Sequence, residues 1–98
     1  MSDLRVVAVI PVKPGSVQAM RETLNGLAEA SRGHQGCTGY EVFESASAPG
    51  TFLTVETWRG RADHDAHLRT GDVVTALGAA DGHLAGDIAI HPLQPFAG

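Results

Sequence analysis

The sequence predicts an α+β fold of the ferredoxin-like kind, ordered β-α-β-β-α-β, with four antiparallel strands and helices on one face. Three observations carry this. Leu4 to Val12 is a run dense in β-branched residues, stopped by Pro11 and Pro14. Val17, Met20, Leu24, Leu27 and Ala28 recur at helical spacing. Thr38 to Ser45 and Thr51 to Trp58 are strand-like runs on either side of Ala46-Ser47-Ala48-Pro49-Gly50, whose turn chemistry makes them an antiparallel hairpin.

Each element follows from its residues. The first strand has little polar alternation, so both of its faces are expected to be covered. Ser16 is a candidate N-cap for a helix reaching about Arg32, with Gly33 placed to end it at C′. Gln18, Arg21, Glu22, Asn25 and Glu29 fill the polar side of that helix. After the hairpin, Arg59-Gly60 breaks the strand pattern, and a helical region runs from Arg61 to about Thr70. It restarts after Gly71 with Asp72 as cap and with Val73, Val74 and Leu77 expected to point inward. Gly78, Gly82 and Gly86 predict a loose segment, Asp87 to His91 a short last strand, and residues 92–98 an irregular tail.

A length of 98 residues suits one domain, 1–98, with a single core. Helices on one side leave the other face of the sheet without a cover. A wide apolar face on so small a unit marks an association surface, and two sheets meeting face to face would close it with two-fold symmetry. A homodimer is therefore expected. The net charge of −4 argues against a nucleic-acid partner, which needs a basic face for phosphates. The longest apolar run, Val6 to Val12, is far too short to span a bilayer, and no cationic leader precedes a long apolar segment. Cys37 is the single cysteine, so an intrachain disulfide is excluded, and a reducing cytoplasm is the simplest setting. No basic neighbour is evident to activate it as a thiolate.

Alternation along the third strand puts Phe52, Thr54, Glu56 and Trp58 on one face. If the hairpin keeps parity, Tyr40 joins Glu56 and Trp58. A phenol, a carboxylate and an indole would then gather at one end of the sheet, with a pocket against the helices as the natural ligand site. Trp58 reads either as core or as a flat wall for a planar guest. Glu56 is a mid-strand carboxylate that needs a partner, for which Arg59, Arg5 and Tyr40 are candidates, or it is a proton acceptor. His67 sits in Asp63-His64-Asp65-Ala66-His67-Leu68, where Asp63 could orient its imidazole; it reads either as a proton-transfer group or as a helix histidine bonded locally. His64 shares its helix face and is the more exposed of the two by expectation. A metal site built on these histidines has little support, since no Cys pair or zinc-protease motif accompanies them. No nucleotide-binding glycine pattern or serine elbow is present.

Together, Pro14-Gly15, Gly36-Cys37-Thr38-Gly39-Tyr40, and Glu56-Thr57-Trp58 followed nine residues later by His67 resemble the antibiotic biosynthesis monooxygenase family. The resemblance covers nearly the whole chain. It implies a homodimeric α+β barrel and, in the oxygenase members, oxidation of phenols, hydroquinones or anthrones by O2 with neither metal nor organic cofactor. On that pattern His67, Glu56 and Tyr40 are the candidate catalytic residues, and Trp58, Phe52 and His64 the candidate substrate contacts. The chain departs from the pattern on the first strand. Several members carry an asparagine there, and this strand reads Val6-Val7-Ala8-Val9-Ile10. That disfavours haem breakdown. It leaves a quinol-type oxygenase, an isomerase of a small signal metabolite, or a non-catalytic metabolite-binding dimer.

Overall fold

The structure is a computed structural model that describes residues 3–97. β1 (Leu4–Pro11) leads through a short 3-10 turn to α1 (Val17–Ser31). β2 (Cys37–Glu44) and β3 (Thr51–Trp58) follow as the hairpin, then α2 (Arg61–Leu68), α3 (Gly71–Ala80) and β4 (Ala89–Pro92). The strands form one antiparallel sheet in the order β2-β3-β1-β4. The expected order of elements holds, with the second helical region divided into α2 and α3.

Strand pairing fixes which residues share a face. Tyr40 lies opposite Glu56, Val42 opposite Thr54, Ala8 opposite Thr54, and Val6 opposite Glu56. The helix-facing side of the sheet therefore carries Val6, Ala8, Ile10, Tyr40, Phe52, Thr54, Glu56 and Trp58, all buried. Ile10, Val12 and Phe52 pack with Met20 and Leu24 of α1 and Ala80 of α3. Val6, Tyr40 and Trp58 pack with Ala28 of α1 at the other end. Truncating Leu24 to Ala would cost about 2–5 kcal/mol, because the site is closed by both helix and sheet.

The opposite face carries Val7, Val9, Leu53 and Val55, with Val7 paired to Val55 and Val9 to Leu53. All four are half-buried, and neighbouring Phe43 is 49% exposed. Among the described residues, no helix covers them. The expectation that both faces of the first strand are covered is not met within a single chain.

Local details differ from the sequence reading where a side chain found a better partner. Ser16 makes no capping bond to α1; its hydroxyl instead meets His83 Nδ1 at 2.8 Å. Gly33 does not adopt the left-handed conformation; Gly36 does, with φ of 79°. The cap of α3 is Thr70, whose hydroxyl accepts from the Val73 amide at 3.3 Å, and Asp72 lies in the first turn. Of the three residues expected inward on α3, only Val73 is buried, while Val74 is 62% and Leu77 52% exposed. Val73, Ala76, Leu77 and Ala80 share the face turned to the sheet, with Leu77 at its open edge, so of the three expected residues only Val74 points away.

Candidate active site

A cavity of about 80 Å³ lies between the sheet and the helices. Its walls are apolar, from Ala8 and Ile10 of β1, Met20, Leu24 and Leu27 of α1, Val73 and Ala76 of α3, and Ile88. Leu77 and Ile90 line it while remaining about half exposed, so they frame its mouth. One end is polar: Tyr40, Thr54, Glu56, His64 and His67 converge there.

The carboxylate of Glu56 is buried and engaged twice. Oε2 accepts from Thr54 Oγ1 at 2.6 Å, and Oε1 accepts from Trp58 Nε1 at 2.9 Å. All three side chains come from alternate positions of one strand, so the pleat that buries them also aims them at each other. His64 Nε2 stands 3.9 Å from the same Oε1. Arg59, Arg5 and Tyr40, the partners expected for Glu56 from sequence, make no hydrogen bond or ion pair with it; a buried carboxylate is satisfied here by neutral donors instead.

α2 is eight residues long, and its inward face is formed by His64 and His67, one turn apart. His64 is only 2% exposed, which corrects the expectation that it faces solvent. The reason is the indole beneath it: the ring centroids of Trp58 and His64 are 5.9 Å apart, and those of Trp58 and His67 4.6 Å. Trp58 is itself fully buried and does not line the cavity, so it backs the histidines rather than offering a wall to a guest. Phe52 likewise belongs to the core around Met20 and does not reach the cavity. Of the expected site residues, Trp58 and Phe52 do not line the cavity, and Tyr40, Glu56, His64 and His67 are brought together at its polar end.

His67 is held from an unexpected side. Its Nδ1 meets Nδ1 of His34 at 2.9 Å, and His34 Nε2 meets Oδ2 of Asp72 at 2.7 Å. Asp63, the orienting group expected from sequence, instead lies against Gly36, where a Cβ would collide with its carboxyl group. Burial, with the neighbouring charges of His34 and His64, pulls the His67 imidazolium down to about 4, against an opposing pull from Asp72. Burial beside the Glu56 charge pushes the Tyr40 phenol far up, so it is a hydrogen-bond donor at neutral pH. Burial also raises the Cys37 thiol, which removes it from consideration as a thiolate. Among the described residues, no three His, Cys, Asp or Glu side chains are disposed to hold a metal ion.

His34 and Asp72 escaped the sequence reading. His34 lies in an aperiodic loop, and Asp72 wears the sequence signature of a helix cap. A histidine beside glycines and an acid at a helix start carry no spacing that ties one to the other.

A helix-covered antiparallel sheet, here with an apolar cavity ended by histidines and a carboxylate, defines an α+β domain of the ferredoxin-like class. The chain belongs to the antibiotic biosynthesis monooxygenase family, whose profile matches residues 3–79. Solved structures agree in fold. PA3566 from Pseudomonas aeruginosa is 25% identical, with 99% of this chain and 97% of that chain covered and a TM-score of 0.88. Rv0793 from Mycobacterium tuberculosis is 25% identical over 99% and 98%, with a TM-score of 0.88. A conserved protein from Methanosarcina mazei Go1 is 26% identical over 96% and 93%, with a TM-score of 0.89. No curated protein matches significantly.

Proposed function

We propose that this chain is a cofactor-independent monooxygenase that oxidises a small aromatic or quinol-type substrate with O2. The single observation that carries the reading is the joining of a basic nitrogen, a phenol donor and a carboxylate at one end of an otherwise apolar cavity. Membership of a family described by monooxygenase chemistry supports it.

The roles follow from the geometry. A ring enters between Leu77 and Ile90 and lies against aliphatic walls. His67, neutral at pH 7, accepts the acidic proton of an anthrone-like CH2 or a phenol. The resulting carbanion or phenolate passes one electron to O2, and the radical pair recombines to a C–O bond. For a CH2 substrate, loss of water from the hydroperoxide then leaves a ketone, with one oxygen atom in product and one in water. No external reductant is needed, because the CH2 group supplies all four electrons. Tyr40 donates to the developing oxyanion, and the dry walls strengthen that bond. Glu56 fixes Trp58 and hence the histidine pair above it; the structure supports this positioning role over proton acceptance, because both of its oxygens are already engaged.

Two copies meeting through the Val7, Val9, Leu53 and Val55 face form the working unit in this reading, in the cytoplasm. The test is O2 uptake by the purified protein with menadiol and simple anthrones, under air and under argon. Uptake above buffer that falls at least tenfold in His67→Gln supports the reading. Uptake that never exceeds buffer overturns it.

One observation favours a second reading, a dimer that binds a metabolite without turnover. The cavity, at about 80 Å³, is about half the roughly 150 Å³ that accepts benzene. A ring therefore sits partly in the mouth, where water reaches it. Ligand-induced stabilisation by the same quinols without O2 uptake identifies this case.

A further inference from the structure

The pairing of His34 with His67 has a chemical consequence that the cavity alone does not explain. An ionised carboxylate only accepts hydrogen bonds, so Asp72 Oδ2 receives the Nε2 proton of His34. A neutral His34 then presents a bare Nδ1, and the 2.9 Å contact requires His67 to donate from its own Nδ1. His67 is left with a bare Nε2, the nitrogen available to a guest in the cavity it lines. If His34 takes up a proton at Nδ1, the bond reverses. His34 donates, His67 accepts at Nδ1, and the neutral His67 ring carries its proton on Nε2.

We propose that Asp72, His34 and His67 form a two-position proton relay linking Nε2 of His67, at the cavity, to solvent at the surface of α3. Side-chain exposure rises along this path, from a buried His67 to 14% at His34 and 52% at Asp72. In the forward direction a bond forms between the substrate's proton and His67 Nε2. The Nδ1–H bond of His67 breaks, and that proton passes to His34 Nδ1. His67 ends neutral, and the positive charge appears on His34 beside the Asp72 carboxylate. In the reverse direction the Nε2–H bond of His67 breaks as its proton goes to a peroxide or alkoxide in the cavity, His67 Nδ1 takes the proton held on His34 Nδ1, and both rings end neutral. No electrons move in either step.

The surroundings favour relay over storage. Facing His67 are His64 on its own helix, Trp58 on β3, Tyr40 on β2 and His34 on the loop, with Glu56 opening on the same cavity and Asp72 behind His34. Burial and two neighbouring imidazoles make a cation costly at His67, as its lowered pKa reflects. Handing on the Nδ1 proton lets His67 accept at Nε2 without holding that charge. His34 and Asp72 are thus positioning residues that act through His67. The use of the relay rests on the oxygenase reading, but its existence does not.

The test needs no substrate. Full-length protein labelled with 15N-histidine is titrated from pH 8.5 to 5, and tautomers are read from two-bond 1H–15N correlations. The expected result is that His67 carries its proton on Nδ1 at high pH and changes to Nε2 on the same titration curve as His34, while staying neutral. Asp72→Asn should move the two curves by one equal amount, and His34→Phe should remove the pH response of the His67 tautomer. A His67 that keeps one tautomer while His34 titrates overturns the relay, as does an Asp72→Asn shift confined to one curve. Should either variant fail to fold, the wild-type titration decides by itself. A switching tautomer with no O2 uptake retains the relay and rejects the oxygenase.

Discussion

Acid should weaken this fold through His67 in a defined window. The folded-state value of about 4 lies below the ordinary 6.5, so the unfolded chain binds the proton more readily. Above pH 6.5 the group is neutral in both states and contributes no pH dependence. As pH falls from 6.5 to 4, the unfolded state gains protons that the folded state refuses, and stability declines; below 4 the decline stops. The separation is about 2.5 units at about 1.4 kcal/mol each, so the full loss is about 3 kcal/mol. Urea unfolding at fixed protein concentration, at half-unit steps from pH 7.5 to 4, measures it. A His67→Phe control is unfolded over the same range, because other groups titrate there too. The difference between wild type and control should shrink or reverse by about 3 kcal/mol across the window. Parallel curves would refute the reasoning, since they would mean that His67 titrates alike in both states.

Further outcomes are expected elsewhere. Gly36→Ala places a Cβ against the Asp63 carboxyl group at a φ of 79°, so a loss of about 1–2 kcal/mol is expected in thermal melts. The same substitution should loosen the His34 loop, visible as faster amide exchange there. Trp58→Phe removes the indole donor from Glu56 and some core volume, so a loss of about 2–4 kcal/mol is expected by urea unfolding. Leu53→Glu puts a charge at the middle of the uncovered sheet face, next to Val9 and Phe43. Sedimentation at high concentration should then show a single chain where the wild type sediments as a pair.

Much of this architecture was legible because strand periodicity is rigid. Side chains alternate without exception between Thr51 and Trp58, so placing Glu56 and Trp58 on the buried face required only the hairpin, and Tyr40 followed from the register. Leu77, four positions from Val73, lines the cavity beside it, whereas Val74, only one position on, turns outward. The partners of polar groups were the least legible. Glu56 had three plausible partners in sequence, yet it took two neutral donors from its own strand. His67 had an acid one turn away on its own helix, yet it took a loop histidine 33 positions distant. Contacts of that kind depend on how far a loop reaches, and composition does not encode reach.

The carboxylate and both of its donors, Thr54 and Trp58, sit on β3, whereas His64, His67 and Asp72 belong to α2 and α3. The Glu56 anchor and the histidines of α2 are thus carried by different stretches of the gene. Random variation confined to codons 61–80 would resample His64, His67, Asp72 and the Leu77 side of the entrance while the anchoring strand stays as it is. For a protein engineer, that makes β3 a fixed chassis and residues 61–80 an exchangeable cartridge.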